Sequence, residues 1–169
     1  MAPPPSDWIT LNTDGSMNGF TKKAGCRGLL RNENSKWIGK FSFNIGSCTA
    51  FKAELWGIDQ GLKLAWTMEL KKVRVECDSK AIIESINSPK DRKNHPNVLI
   101  RNIHNWKNRE WNILFVNIYR EGNRCADCLA HKNLELDVEF HFWDTPPNEV
   151  VAFLSDDEQG VALPRLVCN

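Results

Sequence analysis

Apolar and polar residues alternate from Trp8 to Asp14, the period of a strand buried on one face. Gly15-Ser16 is expected to end that strand, and Met17 to Lys23 reads as a polar turn. Two more strand candidates, Ala24 to Arg31 and Lys36 to Phe43, are joined by Asn32-Glu-Asn-Ser35. The opening stretch therefore predicts a three-strand antiparallel meander with hairpin connections. From Thr49 the period becomes helical: Phe51, Leu55, Ile58, Leu62 and Ala65 fall on one stripe, and Thr49 is the predicted N-cap.

Lys72 to Cys77 is a short strand rich in β-branched residues, and Asp78-Ser79 caps a helix carrying Ala81, Ile82, Ile83 and Ile86. Ser88 to Asn94 is a basic loop before Pro96. Val98 to Trp106 is amphipathic, Trp111 to Tyr119 alternates as a strand, and Asn123 to Leu134 is the last long helix, with Ala126, Leu129 and Ala130 turned inward. The order βββαβααβα predicts an α/β layered domain with a mixed five-stranded sheet. After Leu136 the pattern weakens. Phe140-His-Phe142 reads as an extended segment, Thr145-Pro-Pro147 as a turn, and Val150 to Leu154 as a short helical turn. The expected organisation is a lead-in over 1–7, one domain over 8–136 and a C-terminal extension over 137–169.

Charge changes this picture only when it is divided. The total is +1, but Val138 to Asn169 holds six acids against one base, which leaves +6 on the rest. A basic body with an acidic tail suits a polyanionic partner, and equally suits a solvated surface of uneven charge. No apolar run is long enough to span a bilayer, and the start lacks the charged and apolar regions of a secretory signal, so an intracellular protein is expected, nucleus or cytoplasm left open. The six cysteines then read as free thiols, and Cys125-Ala-Asp-Cys128, with no second pair, does not make a zinc site.

Four acids sit where this order of elements would gather them. Asp14 ends the first strand and Asp78 the fourth; Glu54 and Asp127 lie in the first turns of two helices. Strand ends and helix starts on one side of an α/β sheet form the usual crevice for a site. Two carboxylates ~5 Å apart at an effective dielectric of ~20 repel by roughly 3 kcal/mol. Divalent cations remove that cost, and hard oxygen ligands suit Mg²⁺ or Mn²⁺. Taken singly, Asp14 is as well a turn residue, Asp78 a cap, and Glu54 and Asp127 acids favoured by helix dipoles. Ala53-Glu-Leu55 and Ala126-Asp-Cys-Leu129, however, set an acid among small and apolar neighbours, where a purely solvated residue is less expected.

Leu11-Asn-Thr-Asp-Gly-Ser16, Phe51-Lys-Ala-Glu-Leu55, Val75-Glu-Cys-Asp-Ser79 and Tyr119-Arg-Glu-Gly-Asn-Arg-Cys-Ala-Asp127 together resemble the plant ribonuclease H-like domain, a reverse-transcriptase-like branch of the type 1 ribonuclease H superfamily. The resemblance runs from about Trp8 to Leu134. It implies a ribonuclease H-like fold with helices packed on the mixed sheet, and two Mg²⁺ or Mn²⁺ ions held by Asp14, Glu54, Asp78 and Asp127. It also implies endonucleolytic cleavage of the RNA strand of an RNA–DNA hybrid. Gly15 and Ser16 match the turn that approaches the RNA strand, Thr49 a threonine that holds a DNA phosphate, and Arg120 and Asn123 lie in the matched segment before Asp127. Departures are equally specific. The loop Arg120-Glu-Gly122 has no histidine, and Phe20, Ala50 and Lys80 stand where bacterial members carry two asparagines and a glutamine that contact the duplex.

Three functions remain in play on this reading. The first is a metal-dependent nuclease on RNA–DNA hybrids. The second is a retroelement-derived adaptor that binds nucleic acid or protein with little or no nuclease activity. The third is a nuclease on double-stranded or structured RNA. None of them involves a membrane.

Overall fold

The computed structural model describes residues 6–88, 95–119 and 140–145. The alternating start forms strand β1 (Ile9–Met17), which runs three residues beyond Asp14 instead of ending there. The hairpin continues the pairing, because Gly15, Ser16 and Met17 stand opposite Cys26, Gly25 and Ala24. β2 (Lys23–Arg31) and β3 (Trp37–Ser47) complete the meander, all antiparallel. Asn32 closes their connection: its Oδ1 accepts from the backbone N–H groups of Asn34 and Lys36 at 3.0 and 2.9 Å, an Asx turn.

Helix α1 (Ala50–Thr67) follows, then β4 (Lys72–Cys77), α2 (Lys80–Asn87), α3 (Val98–Lys107) and β5 (Asn112–Asn117). β4 pairs parallel with β1, and β5 parallel with β4. The sheet has six strands, not the expected five, in the order β5-β4-β1-β2-β3-β6. The sixth, β6 (Phe140–Trp143), comes from the segment assigned to the extension and pairs antiparallel with the edge of β3. Phe140 stacks on Phe41 at 5.6 Å, Trp37 Nε1 donates to the Asp144 carbonyl at 2.9 Å, and Lys40 lies over the Trp143 ring at 4.1 Å. The predicted last helix, Asn123 to Leu134, lies outside the described residues.

The core sits between α1, α2 and α3 and one face of the sheet. Leu11, Leu30, Val73, Val75 and Phe115 meet Leu55, Ile58, Leu62, Ile82, Ile86, Ile100 and Ile103 there. The expected helix stripe was right except at its start, since Phe51 is 39% exposed. α1 instead turns its small residues to the central strand. A Cβ on Gly61 would come within 2.7 Å of Leu11 Cδ2, and one on Gly57 within 3.4 Å of the Asp14 carbonyl. On the opposite face the sheet is polar and buried: Thr10, Asn12, Arg31, Arg74 and Glu76. There Asn12 Nδ2 donates to Glu76 Oε2 at 2.7 Å and accepts at Oδ1 from Arg31 Nη2 at 2.7 Å, while Arg74 pairs with Glu76 at 3.0 Å. Buried polar groups persist only when partnered in this way. Among the described residues no helix is long and apolar enough to cross a membrane.

Candidate metal centre

Parallel pairing of β1 with β4 sets Asn12 beside Glu76. Two residues further along both chains come Asp14 and Asp78, so register alone brings these two acids level. Glu54 arrives from above, in the second turn of α1. What lets it approach is Gly15. A Cβ there would lie 2.2 Å from the backbone nitrogen of Glu54 and 2.3 Å from the carbonyl carbon of Ala53, positions no side-chain atom can take. The helix therefore rests directly on the strand at this point, and the Gly15 backbone N–H donates to the Glu54 carboxylate.

Glu54 and Asp78 share one group of ligand atoms, and Asp14 stands near enough for its charge to act on Glu54 while its own carboxylate pairs with Arg27. Ligand atoms of Glu54, Cys77 and Asp78 lie within 4.8 Å of one another. Burial and then the charges of Asp14 and Asp78 push the Glu54 carboxyl up to about 8, opposed by the Gly15 hydrogen bond and, last, by the Arg27 guanidinium. Cys77 Sγ is 3.9 Å from Glu54 Oε2 and accepts from the Ser79 backbone N–H at 3.4 Å. Burial, and next the Glu54 charge, hold the Cys77 thiol well above its ordinary range, so it stays protonated at neutral pH. A soft thiol suits Mg²⁺ or Mn²⁺ less well than the hard carboxylate oxygens beside it, so Glu54 and Asp78 are the better-matched donors of this group. Clustered hard oxygens that repel one another when empty suit a hard divalent cation.

The other expected residues are placed as follows. Thr49 caps α1, its Oγ1 accepting from the Lys52 backbone N–H at 3.2 Å. Ser16 lies on β1 next to Gly15 and is half-buried. Ala50 is exposed at the first turn of α1, Lys80 is exposed at the first turn of α2, and Phe20 stands 97% exposed in the β1–β2 turn. Asp127, Asn123 and Arg120 lie outside the described residues, as do His131, Lys90, Arg92 and Lys93. Two neighbours of the site were missed from the sequence. One is Cys77. The other is Arg27, which stands directly opposite Asp14 across the β1–β2 pair and donates through Nη2 to Asp14 Oδ2. The alternation of both strands already put each residue on some face; only the hairpin register makes the two faces the same.

A family model described as "Reverse transcriptase-like" matches residues 12–133. An Arabidopsis thaliana protein named "Putative ribonuclease H protein" is 36% identical over 160 residues, covering 95% of this chain. The chain spans about a quarter of that relative's length, 26%. Among solved structures, the N-terminal RNase H domain of a Mycobacterium tuberculosis protein superposes with a TM-score of 0.67 at 24% identity, over 76% of this chain and 94% of that one. LC11-RNase H1, a compost enzyme solved in complex with RNA/DNA hybrid, superposes with a TM-score of 0.61 at 25% identity, over 72% and 92% of the two chains.

Proposed function

Because the chain belongs to the reverse transcriptase-like family and carries the ribonuclease H fold, we propose that it is a metal-dependent endonuclease that hydrolyses the RNA strand of RNA–DNA hybrids. The observation that carries this reading is the grouping of Glu54 with Asp78 in a buried place with Asp14 beside them, where burial first, and then the charges of Asp14 and Asp78, raise the Glu54 carboxyl to about 8. A purely structural site gains nothing from three acids packed together, whereas a cation site requires them.

Asp14, Glu54, Asp78 and Asp127 would hold two Mg²⁺ or Mn²⁺ ions. When bound, such ions supply the Lewis acidity that readies a water and stabilises the leaving 3′ oxygen. The chain's own residues do the rest. The Gly15 N–H holds the Glu54 carboxyl in place, and Glu54 would give up its proton on binding a cation. Thr49, Gly15, Ser16, Arg120 and Asn123 are the proposed contacts to the duplex, positioning it without a protein nucleophile.

The test is cleavage of a labelled hybrid by purified protein in Mn²⁺, with and without chelator. Asp78→Asn is expected to lower turnover by at least about a hundredfold while hybrid affinity stays within about threefold. Equal cleavage by the variant would remove the site assignment. A second reading, an adaptor that retains the fold, is favoured by Phe20, Ala50 and Lys80 standing where the resemblance expects polar duplex contacts. Binding without metal-dependent cutting in the same assay selects it. Cutting of double-stranded RNA in preference to hybrid selects the third reading.

A further inference from the structure

Residues directly opposite in an antiparallel pair project from the same face, and Asp14 faces Arg27. Their ion pair is nearly sealed from solvent, the Arg27 and Asp14 side chains being 8% and 10% exposed. Among the described residues, Arg27 Nε has no hydrogen-bond partner. Among the described residues Asp14 is the acid that pairs with this buried charge, with Glu54 influenced more weakly, and one of the two Asp14 oxygens is already engaged. A cation arriving at Asp14 meets a carboxylate that is half-neutralised and a fixed positive charge beside it. Displacing the guanidinium would strand it unpaired in a buried place, which is costly.

We infer that Arg27 is a resident counter-cation that competes with divalent metal for Asp14 and so sets the cation concentration at which the site fills. The inference rests on the metal-dependent reading above. It makes Arg27 a positioning residue that acts through Asp14. In the empty site it also gives Asp14 a partner that Glu54 and Asp78 cannot provide, since like charges only repel.

Mn²⁺ binding to the full chain is followed by the loss of the free-ion electron paramagnetic resonance signal, for wild type, Arg27→Met and Arg27→Lys. Arg27→Met keeps an unbranched side chain without charge and is expected to bind Mn²⁺ about tenfold more tightly. Arg27→Lys retains the charge and should stay within about threefold of wild type. Melting gives a second readout. Arg27→Met should melt lower than wild type without metal, and saturating Mn²⁺ should raise its melting temperature by more. A merely structural arginine would lower both melting temperatures alike and leave Mn²⁺ affinity unimproved, and that result overturns the inference. Arg27→Gln, neutral but still a donor to Asp14, takes the place of Arg27→Met should the latter not fold. If wild type and the neutral variant bind Mn²⁺ equally, only the inference fails. If neither binds Mn²⁺, the metal-dependent reading fails with it.

Discussion

Glu54 lies in the buried setting that its small and apolar sequence neighbours suggest. Its carboxyl, raised to about 8 by burial first and then by Asp14 and Asp78, carries a proton through the neutral range. In the unfolded chain the same group ionises near pH 4.5. Between those two values the folded state binds the extra proton, so the Glu54 contribution to stability is fully present at low pH and is lost as pH rises toward 8. The metal-free protein is therefore expected to melt progressively lower from about pH 5 to about pH 8 through this group. Glu54→Gln should flatten that slope, and saturating Mn²⁺ should flatten it in the wild type, with tighter Mn²⁺ binding at pH 8 than at pH 6. Melting curves across pH for both proteins check this, and an unchanged slope in Glu54→Gln would assign the effect to another group. Gly15→Ala is the companion test. A methyl 2.2 Å from the Glu54 backbone nitrogen forces α1 off β1, and a loss of about 1–3 kcal/mol together with weakened Mn²⁺ binding is expected.

The elements themselves follow from short-range pattern, but what fixes them to one another does not. α1 docks on β1 through Gly57 and Gly61, which a reading for large apolar residues passes over. α1 is tied to α3 by a polar contact within an otherwise apolar seam: Trp106 Nε1 donates to Asp59 Oδ1 at 2.9 Å. Burial raises the Asp59 carboxyl, and the Trp106 hydrogen bond lowers it. Trp66, Trp106 and Trp111 pack around this seam, the Trp66–Trp111 rings meeting edge-on at 5.1 Å, with the Arg109 guanidinium over Trp106 at 4.1 Å. Trp106→Phe keeps the ring and removes the donor, so it should cost about 1–3 kcal/mol in urea unfolding. Asp59→Leu combined with Trp106→Phe should recover part of that loss if the unpaired carboxylate is its cause.

In the molecule as a whole, the sheet does not stop at the boundary drawn from pattern. β6 comes from beyond residue 136 and closes the edge of β3. A chain ended after Asp137 would bare that edge and the faces of Trp37 and Phe41, and it should melt lower than one ended after Thr145. This distinction matters for the acidic tail, which we propose competes with nucleic acid for the basic body. Ending the chain after Thr145 removes four acids and one base and leaves β6 in place. Hybrid affinity should then rise and its salt dependence steepen. Identical affinity and slope at matched salt would discard the competition.

Periodicities of two and 3.6, with a cap at Thr49, marked out most of the described helices and strands, because those signals arise within a few residues of chain. The order of elements then pointed to one crevice for Asp14, Glu54 and Asp78, although Asp14 lies within β1 and not at its end. Register and close approach, by contrast, belong to pairs of segments far apart in sequence and are settled by packing. That is why the extension of β1 past Asp14, the seat of α1 on Gly15, the sixth strand and the buried polar ladder around Asn12 and Glu76 emerge only when the chain is folded. The pairing of Arg27 with Asp14 is of the same kind: each residue is plain in the sequence, and the charge balance of the centre depends on their being opposite.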